Sequence, residues 1–290
     1  MSDTLKNWEN DNKKVLTPPN TAWPTVLLFF VALLSFIGMT YGALFHIIPL
    51  WIALIINGIA QYAMFTVLHD ASHRSLSQIS WFNDTLGTIA AFILSPIAGI
   101  RVFRFVHMQH HRFTNEGGKV DPDEWCGKGK TWTLPLRWMT LDIHYVFWYA
   151  HYWFKRPRKE RMELVISLFI TIAVFAIAAH FDLALRFALL WLLPARFAVT
   201  WLALAFDFIP HYPHDTKASD NEFRATTMHP THTWLMTPIM LAQNAHLIHH
   251  LYPRVPFYRY LWVWHHAKKE LMECGARLMR WNGTEIKVDN

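Results

Sequence analysis

The sequence predicts an all-α integral membrane protein with about four transmembrane helices, further helices lying at the interface, and a histidine-rich cap on the cytosolic side. Three observations carry this reading. Hydrophobic residues make up 53% of the 290-residue chain and aromatic residues 16%, more than a soluble domain normally carries. Four apolar runs have about the length needed to cross a bilayer. Eight of the 18 histidines fall into three tight clusters at or beyond the ends of those runs.

Taken in order, the opening MSDTLKNWENDNKKVLTPPN is polar and lacks the apolar core and small-residue cleavage site of a signal peptide. Residues 1–22 therefore read as a cytosolic tail. A first span, residues 25–44, follows Lys13 and Lys14 and leads through a short link into a second, residues 50–68. The link (HIIP) carries no Lys or Arg, which places it on the outer side. Residues 86–100 are interrupted by Pro96 and Gly99 and closed by Arg101 and Arg104, the pattern of a re-entrant or surface-lying segment. Residues 131–154 mix Trp, Tyr and Phe with Arg137, Asp142 and His144, as a helix in the headgroup region does. The basic run KRPRKER (155–161) reads as an anchor to anionic lipid. Spans at 164–179 and 183–206 complete one domain covering residues 1–290, and the only formal charge in their link is Asp182.

This topology puts both termini on the cytosolic face of a membrane, read as the bacterial cytoplasmic membrane. The net charge of +6 comes from residues flanking apolar runs and forms no continuous face, so nucleic acid is not an expected partner. Only Cys126 and Cys274 are present. Two cysteines without a CxxC pair build neither a disulfide framework nor a rubredoxin-like iron site. There is also no GxGxxG, P-loop or haem motif, so any electrons must come from a separate ferredoxin, rubredoxin or cytochrome system.

The clusters are His69-Asp-Ala-Ser-His73, His107-Met-Gln-His110-His111 and His246-Leu-Ile-His249-His250. Residues three and four apart share a helix face, so each cluster presents two or three imidazoles together, the spacing of metal ligands. Isolated histidines such as His46, His144, His151 and His180 read instead as interfacial or hydrogen-bonded side chains. Packed imidazoles without a metal would repel one another on protonation, which argues against a bland reading of three clusters. A further group, Asp207, His211 and His214, follows the fourth span. Eight or more histidines exceed the needs of one zinc site and suffice for two metals with open positions. Two irons so held could bind and cleave dioxygen, which redox-inert zinc cannot do. A histidine-rich metal transporter or receptor is the alternative, but transport favours polar groups near mid-membrane, and all three clusters lie at the ends of spans.

In order, spacing and context these residues resemble the membrane fatty acid desaturase and hydroxylase superfamily, with its HxxxH and two HxxHH boxes around a di-iron centre. The motifs HDASHRS, RFVHMQHHRFTN followed by DPDEW, FDFIPHYPHD and QNAHLIHHLYPRVPFYRY carry the likeness across most of the chain. They look closest to the branch of β-carotene ring hydroxylases and bacterial relatives that includes fatty acid decarboxylases releasing terminal alkenes. The resemblance implies an oxygen-dependent, iron-dependent oxidoreductase acting on a lipid-like substrate. It implies His69, His73, His107, His110, His111, His246, His249 and His250 as iron ligands, with His211 as a further one. His214 would be a ligand or a partner of one. Asp207 stands where animal acyl-CoA desaturases have asparagine at the comparable spacing, and its role, as a possible ligand, is left open. Asp70, Asp121 and Asp123 could orient imidazoles, although a DPD loop is more often simply a turn.

Desaturation, decarboxylation to a terminal alkene and hydroxylation all begin with hydrogen abstraction, and the ligand boxes do not choose among them. Arg196, well inside the fourth span, tilts the choice towards a carboxylate-bearing fatty acid over carotene. Its other reading is a guanidinium that caps carbonyls freed by Pro194 or pairs with an internal acid.

Overall fold

The computed structural model describes residues 2–97 and 99–287. Its main helices are α1 (Asp3–Asp11), α2 (Trp23–Leu44), α3 (Leu50–Ser72), α4 (Ser80–Leu94), α5 (Ile100–Phe113), α6 (Leu134–Met139), α7 (Leu141–Ala150), α8 (Arg158–His180), α9 (Ala184–Leu202), α10 (His246–Leu251) and α11 (Tyr260–Glu273). Among the described residues, four helices are long and apolar enough to cross a membrane: α2, α3, α8, and α9 extended to His211. Their outward faces keep large apolar side chains exposed, including Leu27, Leu34, Ile55, Phe169 and Phe197. In water such a surface would be a liability, whereas in lipid it is the expected solvent-facing side.

The hairpin links join at one end of the bundle, where Arg186 of α9 donates to His46 Nε2 at 2.6 Å. Helices α3 and α9 run from that end to the other, and so deliver His69 and His211 to the same place. The α9 helix contains Pro194, whose missing N–H frees the carbonyl of Leu190. Asn57 of α3 donates to that carbonyl at 2.9 Å and to Thr40 at 3.0 Å. One turn on, Gln61 donates to Trp191 O at 3.0 Å and to Ile93 O at 2.9 Å. These buried amides clamp α3, α4 and α9 together inside the apolar bundle. Beyond Leu202, α9 widens into a π-helical turn over Ala203–Phe208. Such turns commonly mark functional positions.

The segment 86–100 contributes the end of α4, which is 15 residues long and stops before Pro96. At about 22 Å it is short of a span. Helix α5 starts after Gly99 and is capped by Glu163, whose Oε2 accepts from Arg101 N at 2.8 Å. A Cβ at residue 99 would lie 2.4 Å from the Glu163 carboxyl carbon, so any larger residue there would displace this cap. Arg104 of α5 reaches back to cap α3, donating to Ser72 O at 2.9 Å and Ala71 O at 3.0 Å. That fixes the last turn of α3, which carries His69 and His73. The stretch 131–154 is not one interfacial helix: α6 and α7 part at Thr140, where the backbone leaves helical geometry (φ −116°, ψ 18°). The polar N-terminal segment is not a free tail, because α1 buries Leu5 in a second core with Trp264 of α11, and Thr4 donates to Glu273.

Candidate metal centre

Histidines from α3, α5, α9 and α10 converge at the end of the bundle opposite the hairpin links. His69, His73, His107 and His249 offer ring nitrogens within 4.8 Å of one another, and His110, His211, His246 and His250 form a second such group. His111, His249 and His250 form a third, linking the two. The two HxxHH boxes are arranged crosswise. In α5, His107 lies with the first group and His110 with the second; in α10, His249 lies with the first, and His246 and His250 with the second. Neighbouring positions on a helix diverge around its axis, so one box can supply two centres.

Several nitrogens point at each other. His69 and His249 Nε2 are 2.9 Å apart, His111 and His249 Nε2 2.9 Å, His211 and His246 Nε2 3.0 Å, and His250 and His246 Nε2 3.1 Å. Two nitrogens about 2.1 Å from one ion and at right angles lie about 3 Å apart, so these spacings suit shared metal ligation. His73 Nε2 is buried without a hydrogen-bond partner, a costly state that a metal would relieve. The donor set fits two metal ions.

The opposite ring nitrogens are held from behind. His110 Nδ1 lies 3.0 Å from Asp121 and 3.2 Å from Asp123. His246 Nδ1 lies 2.5 Å from Gln243 Oε1, and Tyr260 OH is 3.0 Å from His249 Nδ1. Asp123 in turn accepts from Tyr145 OH at 2.5 Å. Asp70 does not orient an imidazole at hydrogen-bonding distance: it accepts from Thr25 at 2.8 Å and from Phe257 N at 3.3 Å. Gln243 was visible in principle, three residues before His246 on one helical face; Tyr145 and Tyr260 have no spacing that announces them.

Three expected site residues lie outside those donor groups. Asp207 belongs to none of the metal-competent groups; its carboxylate lies 3.6 Å from Cys126 Sγ. It still lines a small cavity beside those groups, with His110, His211 and Asp123. His214 is also outside them, its ring packed so closely over Gly127 that a Cβ there would meet it at 2.5 Å. Arg196 is not a free cation: it donates to both Asp142 oxygens at 2.8 and 2.6 Å and to Met139 O at 2.9 Å. It therefore takes the internal-acid role and gives no ground for choosing a carboxylate substrate. Of the isolated histidines, His144 stacks on Trp125 at 4.4 Å and His46 meets Arg186, in keeping with structural roles.

Two predictions arise here. Arg196→Leu leaves Asp142 half-buried with only Ser95 as a side-chain partner, and should destabilise the fold by roughly 2 kcal/mol. The double variant Arg196→Leu/Asp142→Leu should recover most of that loss in thermal unfolding; equal loss in both would remove the pair as a stabilising contact. The second concerns acid. Burial, and then their mutual repulsion, hold His73, His107, His111, His246, His249 and His250 well below the ordinary imidazole value of 6.5. Burial also lowers His214 to about 4. The unfolded chain then binds more protons than the folded one, so stability is whole above 6.5 and falls as pH drops below it. Metal should be lost together with that stability, as the fold that gathers the rings gives way, because the depressed rings themselves stay neutral and ligating. Metal analysis after equilibration from about pH 7.5 down to about pH 5 checks this; full retention would contradict it. His110 differs: burial opposes its charge, but Asp123 and Asp121 outweigh that and push it up to about 10. The acidic flank favours a cation on that side.

Membrane-crossing helices that bring two linked groups of buried histidines to one end define a membrane metalloprotein with room for a pair of ions. A model of the fatty acid desaturase family matches residues 45–281. The chain belongs to the fatty acid desaturase family, whose centre is di-iron, and it is an oxidoreductase. It is 25% identical to an sn-1 oleoyl-lipid 12-desaturase of Picosynechococcus over 83% of this chain and 74% of the relative. It is 26% identical to a chloroplastic omega-6 fatty acid desaturase of Brassica napus over 92% of this chain and 64% of the relative. An sn-1 acyl-lipid omega-3 desaturase (ferredoxin) of a Nostoc strain is 30% identical over 53% of this chain and 45% of the relative.

Proposed function

We propose that this chain desaturates a fatty acyl chain at a di-iron centre. One iron would be held by His69, His73, His107 and His249, and the other by His110, His211, His246 and His250, with His111 at the junction. The crosswise split of the two HxxHH boxes carries this assignment, since it yields two nitrogen-rich positions instead of one crowded one. Bound iron would supply the open coordination and electron exchange that dioxygen chemistry requires. Balance fixes the rest: one O2 takes two hydrogens from adjacent methylenes and two electrons and two protons from outside, leaving an alkene and two waters.

The protein's own groups define the setting. Gln243, Tyr260 and the Asp121–Asp123 pair fix ring orientation from behind. The ring of Phe103 stacks on His107 at 5.3 Å and Phe65 lies 5.9 Å from His69, so an apolar wall meets the first group. With two free cysteines and no motif for a bound reductant, electrons would come from a separate carrier. A ferredoxin is supported by the name of the Nostoc relative. The relatives' names favour desaturation of an acyl lipid over decarboxylation or carotenoid hydroxylation. The basic flanks of the spans support a reading with the histidine end and both termini in the cytosol of a bacterial host.

The test is product analysis of a bacterial host expressing the chain, fed fatty acids or β-carotene, with lipids and headspace sampled. New double bonds in acyl chains are the expected result. Volatile terminal alkenes would move the outcome to decarboxylation, and hydroxylated carotenoid alone would overturn the acyl-chain assignment.

A further inference from the structure

Two cavities share a wall at Ser95 and Asp142. One is a cleft of about 530 Å³ on the apolar flank of the bundle, lined by Ile97, Ile143, Leu189, Leu192 and Leu193, with Arg196 beside the shared wall. Leu189, Leu192, Leu193 and Ile143 are exposed there, so the cleft faces lipid. The other is a small apolar cavity of about 50 Å³, lined by Phe65, Leu68, Phe103, Val106, Tyr145 and Leu202. Its far side backs onto the first histidine group and, through Asp123, reaches towards the second. Phe65 and Phe103 lean on His69 and His107, while Tyr145 donates to the Asp123 that faces His110.

The shared wall is a polar cross-brace. Ser95 Oγ, at the end of α4, donates to Asp142 Oδ2 at 3.0 Å, and Arg196 of α9 grips the same carboxylate. Such groups are costly in an apolar setting, and here they tie three helices where the lipid-facing cleft and the inner cavity meet. A larger groove, about 720 Å³, lies on the other flank between α2, α3 and α9, but no residue lines both it and the inner cavity.

We propose that the acyl chain reaches the histidine centre sideways from the bilayer, through the α4–α7–α9 cleft and past the Ser95–Asp142–Arg196 brace. This rests on the acyl-chain reading above. The inner cavity at rest has room for only a short stretch of chain, so the brace is the threshold at which the three helices part to admit more. An acyl chain already dissolved in lipid makes the passage without crossing water, and its methylenes meet Phe65 and Phe103 against the first histidine group.

The test uses the iron-loaded chain in lipid nanodiscs and a fatty acid bearing a photoreactive diazirine on its chain, with labelled residues mapped by mass spectrometry. Label is expected on Leu192 or Ile143 in the cleft and on Val146 or Leu202 in the cavity. Ala188→Trp, which obstructs the cleft, and Val146→Trp, which fills the cavity, should each cut cavity labelling about tenfold or more with iron content unchanged. Ile59→Trp, in the other groove, should leave labelling as it was. Should Val146→Trp lose its iron, Ala188→Trp, seated in the open cleft, decides alone. Label on Leu28, Ile59 or Ile239, or undiminished cavity labelling in Ala188→Trp, overturns the route. Cavity labelling without any unsaturated product would instead sink the desaturase reading and leave the route standing. Unsaturated product at full rate in both Trp variants would sink the route alone.

Discussion

His110→Ala should abolish turnover and lower bound iron while leaving the chain inserted in the membrane. His110 is the member of the second group with the most support behind it: its Nδ1 faces Asp121 at 3.0 Å and Asp123 at 3.2 Å, and its ring packs on His211 and His250 at 4.7 and 5.1 Å. Removing it takes one nitrogen from a group of four and strands two carboxylates that were facing a cation. The first group shares no ligand with it and should hold its iron. Activity below detection, with iron falling towards half, is the expected result. His214→Ala is the matched control: His214 is equally close in sequence to a ligand, yet outside both groups. It should keep its iron. Retained product formation in His110→Ala would contradict the two-iron assignment, and loss of iron in His214→Ala would enlarge the ligand set.

Asp121→Ala should weaken iron binding by about 10–100-fold without removing any proposed ligand. Asp121 Oδ1 faces His110 Nδ1 and accepts from Asp123 N at 2.9 Å, and Oδ2 accepts from Asn115 N at 2.8 Å. It thus fixes the ring and the loop together. Competition with a graded chelator reads the change. Asp121→Asn keeps the loop contacts at Oδ1 but loses the charge, and should fall between the wild type and alanine. Superimposable chelation curves for all three would show that the carboxylate plays no part in holding the metal.

Much of this architecture is written in local patterns. Apolar runs announced the four crossing helices, and HxxxH and HxxHH spacing announced the eight clustered histidines, because both signals repeat within one or two helical turns. The partition of those histidines was not legible. Whether His249 sits with His69 or with His246 depends on how α10 is rotated against α3, a tertiary fact that no spacing encodes. Arg196 shows the same limit. An arginine inside an apolar helix was visible, but its partner Asp142 lies 54 residues earlier on a helix that only folding brings alongside. Pro194 announced a freed carbonyl, and it is Asn57, not Arg196, that takes it. Asp207, four residues before His211, lies outside the metal-competent groups yet lines one small cavity with His110 and His211, and spacing alone does not distinguish those two placements.

The most direct measurement is an anaerobic titration of the purified, metal-stripped chain with ferrous iron, followed by elemental analysis and Mössbauer spectroscopy after exposure to oxygen. Saturation at two irons per chain, with oxidised spectra showing a coupled pair, is what two adjoining histidine groups predict. Saturation at a single iron, or two irons that remain magnetically independent, would contradict a shared di-iron centre.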